Sequence, residues 1–299
     1  MRGKTVLAGL VVVLAAAVAS AQDAPAPAIP SPNDLYCSGT VTTESVPRDA
    51  YIITGEESNY RLLFNEGDTV YINRGAKQGV KAGDVFSVVR NVTGDPYGID
   101  WTKWQSAILK KMGSVWADEG RVRVILVRED TSIGTIEHAC DILQRGDILL
   151  PFAERPAPPL KSEDGFDRYA PANGKPLAMV IIGKDFQAQV GREDIVYVNL
   201  GNAQGVKVGD YFRIFRYTGT QHETVFQDPR YAFDQEAQLH VAFFPIYGFG
   251  SVPKKYDWSN TPREDVGEGI VLRTGPNSST VLITFSLREI YPGDYVEVE

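Results

Sequence analysis

Residues 71–86 read YINRGAKQGVKAGDVF and residues 197–212 read YVNLGNAQGVKVGDYF. Ten of these sixteen positions are identical without a gap, where unrelated segments share roughly one, so the chain carries an internal repeat. A second pair of segments extends it. TSIGTIEHACDILQRGDILL at 131–150 aligns without a gap to SSTVLITFSLREIYPGDYVE at 278–297, with matching apolar positions and a matching Gly-Asp, at Gly146-Asp147 and Gly293-Asp294. The stretch between the matched segments is about twenty residues longer in the second copy, a difference that surface loops absorb without disturbing a common scaffold.

Within each copy the local signals are those of strands. Residues 69–73, 85–90, 122–127, 133–137 and 148–152 are short runs rich in Val, Ile and aromatics, bounded by Gly, Asp and Asn. The second copy repeats them at 195–199, 211–217, 270–273, 280–285 and 295–298. In Phe212-Arg213-Ile214-Phe215-Arg216 the apolar and basic residues alternate apart from one step, as in a strand with one wet face. Five or more short strands in about 115 residues predict a small antiparallel barrel or sandwich. The expected fold is therefore mainly β: two homologous small antiparallel β-barrel or sandwich domains in tandem, with one short helix in the first. That helix is predicted at 100–112, where Trp101, Trp104, Ile108 and Met112 recur at helical spacing, Asp100 is a candidate N-cap and Gly113 a stop. It lies in the first copy's insertion and is expected to pack across an open end of that barrel.

The chain begins with the three parts of a secretory signal peptide: Arg2 and Lys4, an apolar run over 6–19, and Ala19-Ser20-Ala21 as a small-x-small cleavage site. The run is shorter than the ~20 residues that cross a bilayer, so cleavage is expected over 1–21 and no membrane span remains after it. Residues 22–36 form a Pro- and Ala-rich segment expected to be an extended spacer. The first β domain is placed at 37–152, a linker at 153–176, and the second β domain at 177–299 with its long insertion at 220–266. Loss of Arg2 and Lys4, two positive charges, takes the formal charge from −8 to −10. Such an acidic surface, with no basic cluster beyond Lys110-Lys111, excludes nucleic acid as a partner.

Cys37 and Cys140 are the two cysteines. In an exported chain they allow one disulfide, a structural bond closing about a hundred residues and contributing at most about 4 to 5 kcal/mol by the chain-entropy argument. The other reading leaves two reduced thiols, with His138 two residues from Cys140 on the same strand face as a weak Cys–His pair. His222 and His240 have no ligand spacing to Cys or His, so no metal is expected, and no motif calls for a cofactor. Gly-Asp recurs four times, at Gly83-Asp84, Gly146-Asp147, Gly209-Asp210 and Gly293-Asp294, and the functional reading makes Asp84 and Asp210 metal ligands or catalytic carboxylates. The turn reading explains their recurrence better: a glycine supplies backbone freedom and an aspartate bonds nearby amides. No nucleophile elbow or phosphate loop is present, and the chain is expected not to be an enzyme. The second copy's insertion concentrates aromatics at Tyr231, Phe233, Phe243, Phe244, Tyr247, Phe249, Tyr256 and Trp258. Exposed, such a set anchors a protein partner or stacks on sugars; buried, it forms a small core beneath a long loop.

The residues Asn73, Gly75, Gly79, Val80, Gly83, Asp84 and Arg90, repeated as Asn199, Gly201, Gly205, Val206, Gly209, Asp210 and Arg216, carry a family resemblance. The pattern is similar to a β-rich module of bacterial envelope proteins, as in the C-terminal domain of the flagellar assembly protein T family and in lysin-motif-associated envelope proteins. The resemblance implies a structural or binding module with no catalytic residues. The function expected is a non-catalytic exported scaffold or binding protein of the periplasm or cell envelope. Its partner is an envelope protein or cell-wall glycan, contacted through the aromatic insertion. The alternatives are a glycan- or peptidoglycan-binding protein and a secreted hydrolase.

Overall fold

The alternating runs fold as strands wound into two units of the same strand order. The computed structural model describes residues 28–57, 60–92, 103–162, 165–217 and 262–299. After a short helix α1 (Pro32–Tyr36) and strand β1 (Thr40–Thr42), the first unit contains β2 (Ile52–Gly55), β3 (Leu63–Phe64), β4 (Thr69–Ile72), β5 (Val85–Val92), helix α2 (Lys103–Met112), β6 (Ser114–Val127), β7 (Ser132–Ala139), β8 (Leu143–Gln144) and β9 (Ile148–Pro151). The second contains β10 (Leu177–Gly183), β11 (Ile195–Val198), β12 (Tyr211–Tyr217), β13 (Arg263–Thr274), β14 (Ser279–Ser286) and β15 (Tyr295–Val298). All pairings are antiparallel. The second unit is a closed barrel in the order β10-β11-β14-β13-β12-β15, and the first follows the corresponding order β2-β4-β7-β6-β5-β9. Its two edges meet at a Tyr51–Ile148 bridge. Ile52, Ile72, Phe86, Val124 and Ile136 fill the first core, and Val180, Val198, Phe212, Val271 and Ile283 the same positions of the second.

The repeated block is legible as a list of structural tasks. The Asn73 amide oxygen accepts from the Tyr51 backbone N–H at 2.7 Å, and Asn199 does the same for Met179 at 2.6 Å. A Cβ on Gly75 would stand 2.4 Å from the Arg128 carbonyl, and one on Gly201 2.3 Å from that of Gly275, so neither site admits a side chain. Gln78 and Gln204 accept from those glycines' own N–H groups, both at 2.9 Å. In each of the four predicted turns the glycine has φ between 86° and 101°, the region glycine enters freely. The aspartate carboxylate then accepts the backbone N–H three residues earlier, at 2.7–2.8 Å. The structure adds two turns of the same kind, at Asp68 and Asp194, bonding Asn65 and Gly191. The second escaped the sequence pattern because Glu193 replaces the glycine, at φ 70°.

Three expectations change. Residues 31–36 are not spacer: Ser31 caps α1 and accepts from the Asp34 N–H at 3.1 Å, and Leu35 is buried. Phe215, the step out of alternation in β12, lies on the outer face with Arg213 yet is fully buried beneath the Arg263 guanidinium, 4.3 Å from the ring centroid. Helix α2 does not lie across the end of the first barrel. Its Ile108, Leu109 and Met112 join Leu35 and Val41 against Ile182, Tyr197, Ile270 and Leu272 on the outer face of the second. Gln105, buried in this joint, donates to the Ile181 carbonyl at 3.1 Å. Lys110 and Lys111, as expected, end the helix in solvent.

The joint is locked at one carboxylate. Asp118, 6 % exposed at the bulge of β6, is forked by Arg155 at 2.8 Å through both oxygens. It also accepts from Arg273 of the second unit at 3.2 Å and from the Gly39 N–H at 2.9 Å. Residues 153–162, which contain no helix or strand, are thereby pinned to the first unit at Arg155, and Lys161 ties them to the second. Removing one partner of a buried ion pair strands the others, at a cost of 3 kcal/mol or more in typical cases. Asp118→Ala is therefore expected to lower the unfolding free energy by about 3 kcal/mol. Asp84→Ala, which loses one turn hydrogen bond at a half-buried carboxylate, should cost about 1 kcal/mol. Urea unfolding of the two variants checks the ranking; equal losses would contradict it.

Candidate binding site

The structure brings together one of the sequence's candidate groupings. Cys37 and Cys140 form a disulfide, with Cα atoms 5.4 Å apart. His138 Nε2 stands 3.4 Å from Cys37 Sγ, and Glu66 lies 3.7 Å from His138 Nδ1. Both sulfurs are spent on each other, so the thiolate that a Cys–His nucleophile requires does not exist in this oxidised state. The disulfide fastens the end of α1 to the end of β7 and so holds the segment that meets the second unit. The eight aromatic residues Tyr231, Phe233, Phe243, Phe244, Tyr247, Phe249, Tyr256 and Trp258, with His222 and His240, lie outside the described residues.

The turn aspartates divide into two kinds. Asp84 and Asp210 cap their turns at half-exposed positions. Asp147 and Asp294 are buried and each also receives an arginine fork. Arg90 reaches Asp147 twice at 2.8 Å and the Ile142 carbonyl at 2.9 Å. Arg216 reaches Asp294 at 2.6 and 2.7 Å and also donates to the Glu289 carbonyl. The arginine was visible as a repeated residue, but its partner lies 57 positions away and only the fold pairs them. Asp265 takes the place of Asp118 in the second unit. It is paired with Arg213 and Arg263, and Arg263 also binds Glu297, with both carboxylates fully buried. An Asp-x-Gly shared by 118–120 and 265–267 was the sequence signal for this pair. Carboxylates forked by arginine and covered by chain are tied into structure.

Glu119 differs. It is 2 % exposed, occupies the position of Val266 in the other unit, and pairs with Arg90 at 3.1 Å through one oxygen while its Oε2 has no hydrogen-bond partner among the described residues. Burial pushes its carboxyl up to about 7; Arg90 opposes the shift, while Asp147 and Asp141 add to it.

One opening among the described residues that could receive a ligand is a groove of about 560 Å³ at one end of the first unit. Val80, Phe86 and Leu149 form its apolar floor, Phe152 flanks it, and the Arg74–Asp49 ion pair and Gln78 stand at its rim. This mixture of an apolar floor with a few polar groups is what ligand sites share. At the corresponding end of the second barrel the chain covers itself. Pro158 lies 3.4 Å from where a Gly209 Cβ would be, and the Lys161 N–H donates to the Tyr211 hydroxyl at 2.7 Å. Lys161 also pairs with Glu299, which stands where Phe152 stands in the first unit. The sequence missed the groove because its floor is built from repeated core positions, and what opens it is the different course of the segment after the last strand and exchanges such as Arg74 for Leu200 and Phe152 for Glu299.

The sequence matches no protein-family model, and no curated protein is significantly similar to it. The geometry of Glu119 leads to a pH effect. Its folded pKa is raised above the unfolded value, so the folded state holds the proton more tightly and stability falls as pH rises from about 4.5 through about 7. Glu119→Gln, which cannot ionise, is expected to be stabilised relative to the parent at pH 8, by about 2 kcal/mol. That advantage should vanish near pH 4.5. Thermal unfolding at both pH values checks the sign.

Proposed function

We propose that the chain is a non-catalytic, exported scaffold or binding protein of the bacterial cell envelope. The observation that carries this reading is the uncovered groove of the first unit, set against the self-covered end of the second. One copy of the repeat keeps its end available while the other uses the same end for internal packing. The disulfide supports an oxidising compartment, since such bonds persist outside the reducing cytosol. The likeness of the repeated motif to envelope modules points the same way. The buried carboxylates support a role without turnover, because arginines pair with Asp118, Asp147, Asp265, Asp294 and Glu297 and Lys161 pairs with Glu268, while Glu119 keeps one arginine contact and a raised pKa. In this reading the aromatic insertion at 220–266 adds a second contact surface, and the partner is an envelope protein or cell-wall glycan.

Incubating the purified mature protein with peptidoglycan sacculi and, separately, with solubilised envelope extract tests the reading. Retention on one of them without release of fragments is the expected outcome, and the retaining material identifies the partner class. Arg74→Glu, at the groove rim, should weaken retention about tenfold with the unfolding midpoint unchanged, the scale of one interface residue. Cleavage products would instead show a hydrolase and overturn the proposal.

A further inference from the structure

The joint inside the chain has a polarity: the α2-bearing end of the first unit, with residues 38–42 beside it, seats on the outer face of the second. Its contact row runs across paired strands from Ile182 to Tyr197, Thr280 and Arg273. Tyr197 donates its hydroxyl proton to the Ser38 carbonyl at 2.9 Å, and Thr280 and Arg273 both donate to the Gly39 carbonyl at 3.2 Å. The repeat places an equivalent row on the first unit, from Thr54 to Tyr71, Ile133 and Leu126. Among the described residues that face is apolar and uncovered. Tyr51 and Ile53 are each 40 % exposed, Ile125 54 % and Leu126 37 %. Isolated exposed apolar residues need no explanation, but a contiguous set on paired strands marks an interaction surface.

The complementary end is also present and unpartnered among the described residues. In the first unit, β1 runs along the start of β6 and carries the residues that enter the joint. In the second, residues 168–171 lie beside the start of β13 without forming a strand. The Arg168 carbonyl accepts the Asp265 N–H at 2.8 Å, and Arg263 donates to the carbonyls of Ala170 and Pro171. Tyr169, in this segment, is 56 % exposed.

We propose that the outer face of the first unit, centred on Ile53, Ile125 and Leu126, receives the Tyr169-bearing end of the second unit of another copy, so that chains join head to tail by repeating their internal joint. This goes beyond the envelope role proposed above and is independent of which envelope component the protein binds. The interface is heterologous: one face of each molecule meets a different face of the next, which generates a ring or an open filament instead of a symmetric dimer. The row on the first unit replaces Thr280 and Arg273 by Ile133 and Leu126, so the contact is more apolar than the internal one. The net negative charge of each copy opposes it, and salt strengthens it by screening that repulsion.

Sedimentation velocity of the mature protein over about 1 to 100 µM, at low and high salt, reads the prediction. The parent protein should exceed the mass of a dimer as concentration rises, and more so at high salt. Ile125→Asp and Tyr169→Asp should each be monomeric alone. Mixed, they should form dimers and stop there, because each retains one intact end; that recovery also shows that both variants are folded. A parent that stays monomeric throughout would overturn the proposal, whatever other partner the face then proves to hold. So would a Tyr169→Asp variant that still assembles, the mark of a symmetric dimer through the first face, or a mixture that does not associate.

Discussion

Asp118 is the point on which the arrangement of the two units depends. One carboxylate at the bulge of β6 accepts from the first turn of the folded chain at Gly39, from the connecting segment at Arg155 and from the second unit at Arg273. None of these partners is near it in sequence, so the charge cannot be buried until all three segments are in place. Around this lock lies an apolar joint built from Leu35, Val41, Met112, Ile182 and Tyr197. The disulfide at Cys37 holds the α1 end of the joint to β7. An ion pair buried this way specifies an arrangement more than it adds stability, since burial costs both ions their hydration. The joint's apolar area supplies the favourable energy, and Asp118 selects one geometry for it.

The repeat serves two ends at once. The positions kept identical are those that build the turn block: an asparagine that receives a strand N–H, a glycine under a carbonyl, a glutamine that closes a short turn, and an aspartate that caps it. The positions that differ are those that decide what each copy meets. Arg273 and Thr280 face the first unit, where the first copy has exposed Leu126 and half-buried Ile133. Val266 is a plain core residue where Glu119 is a buried acid. Pro158 and Lys161 close one end of the second barrel, and the same end of the first is open.

Much of this was legible before any coordinates. Alternation and Gly-Asp punctuation located ten strand segments and the α2 helix, because a two-residue period and turn chemistry are local properties. The starts of β6 and β13 were not found. In β13, ionic residues Arg263 and Asp265 occupy positions that a strand pattern expects to be apolar, and they are buried through their partners. Strands β2 and β10 lay outside the predicted segments although turn residues such as Pro176 and Gly183 bound β10, and pairing with β4 and β11 fixes them. The Arg90–Asp147 and Arg155–Asp118 pairs depend on contacts 57 and 37 positions apart, for which a single sequence carries no signal. The groove was illegible for a related reason: its openness is a matter of what does not cover it.

The central claim is that the two units, though built from one repeated motif, form a single body through the Asp118 joint. Scanning calorimetry of the oxidised protein near pH 5 tests it most directly. A shared joint predicts one transition whose calorimetric enthalpy equals its van't Hoff enthalpy, the signature of all-or-none unfolding. Two resolved transitions, or a calorimetric enthalpy near twice the van't Hoff value, would mean that the units melt independently and would contradict the account.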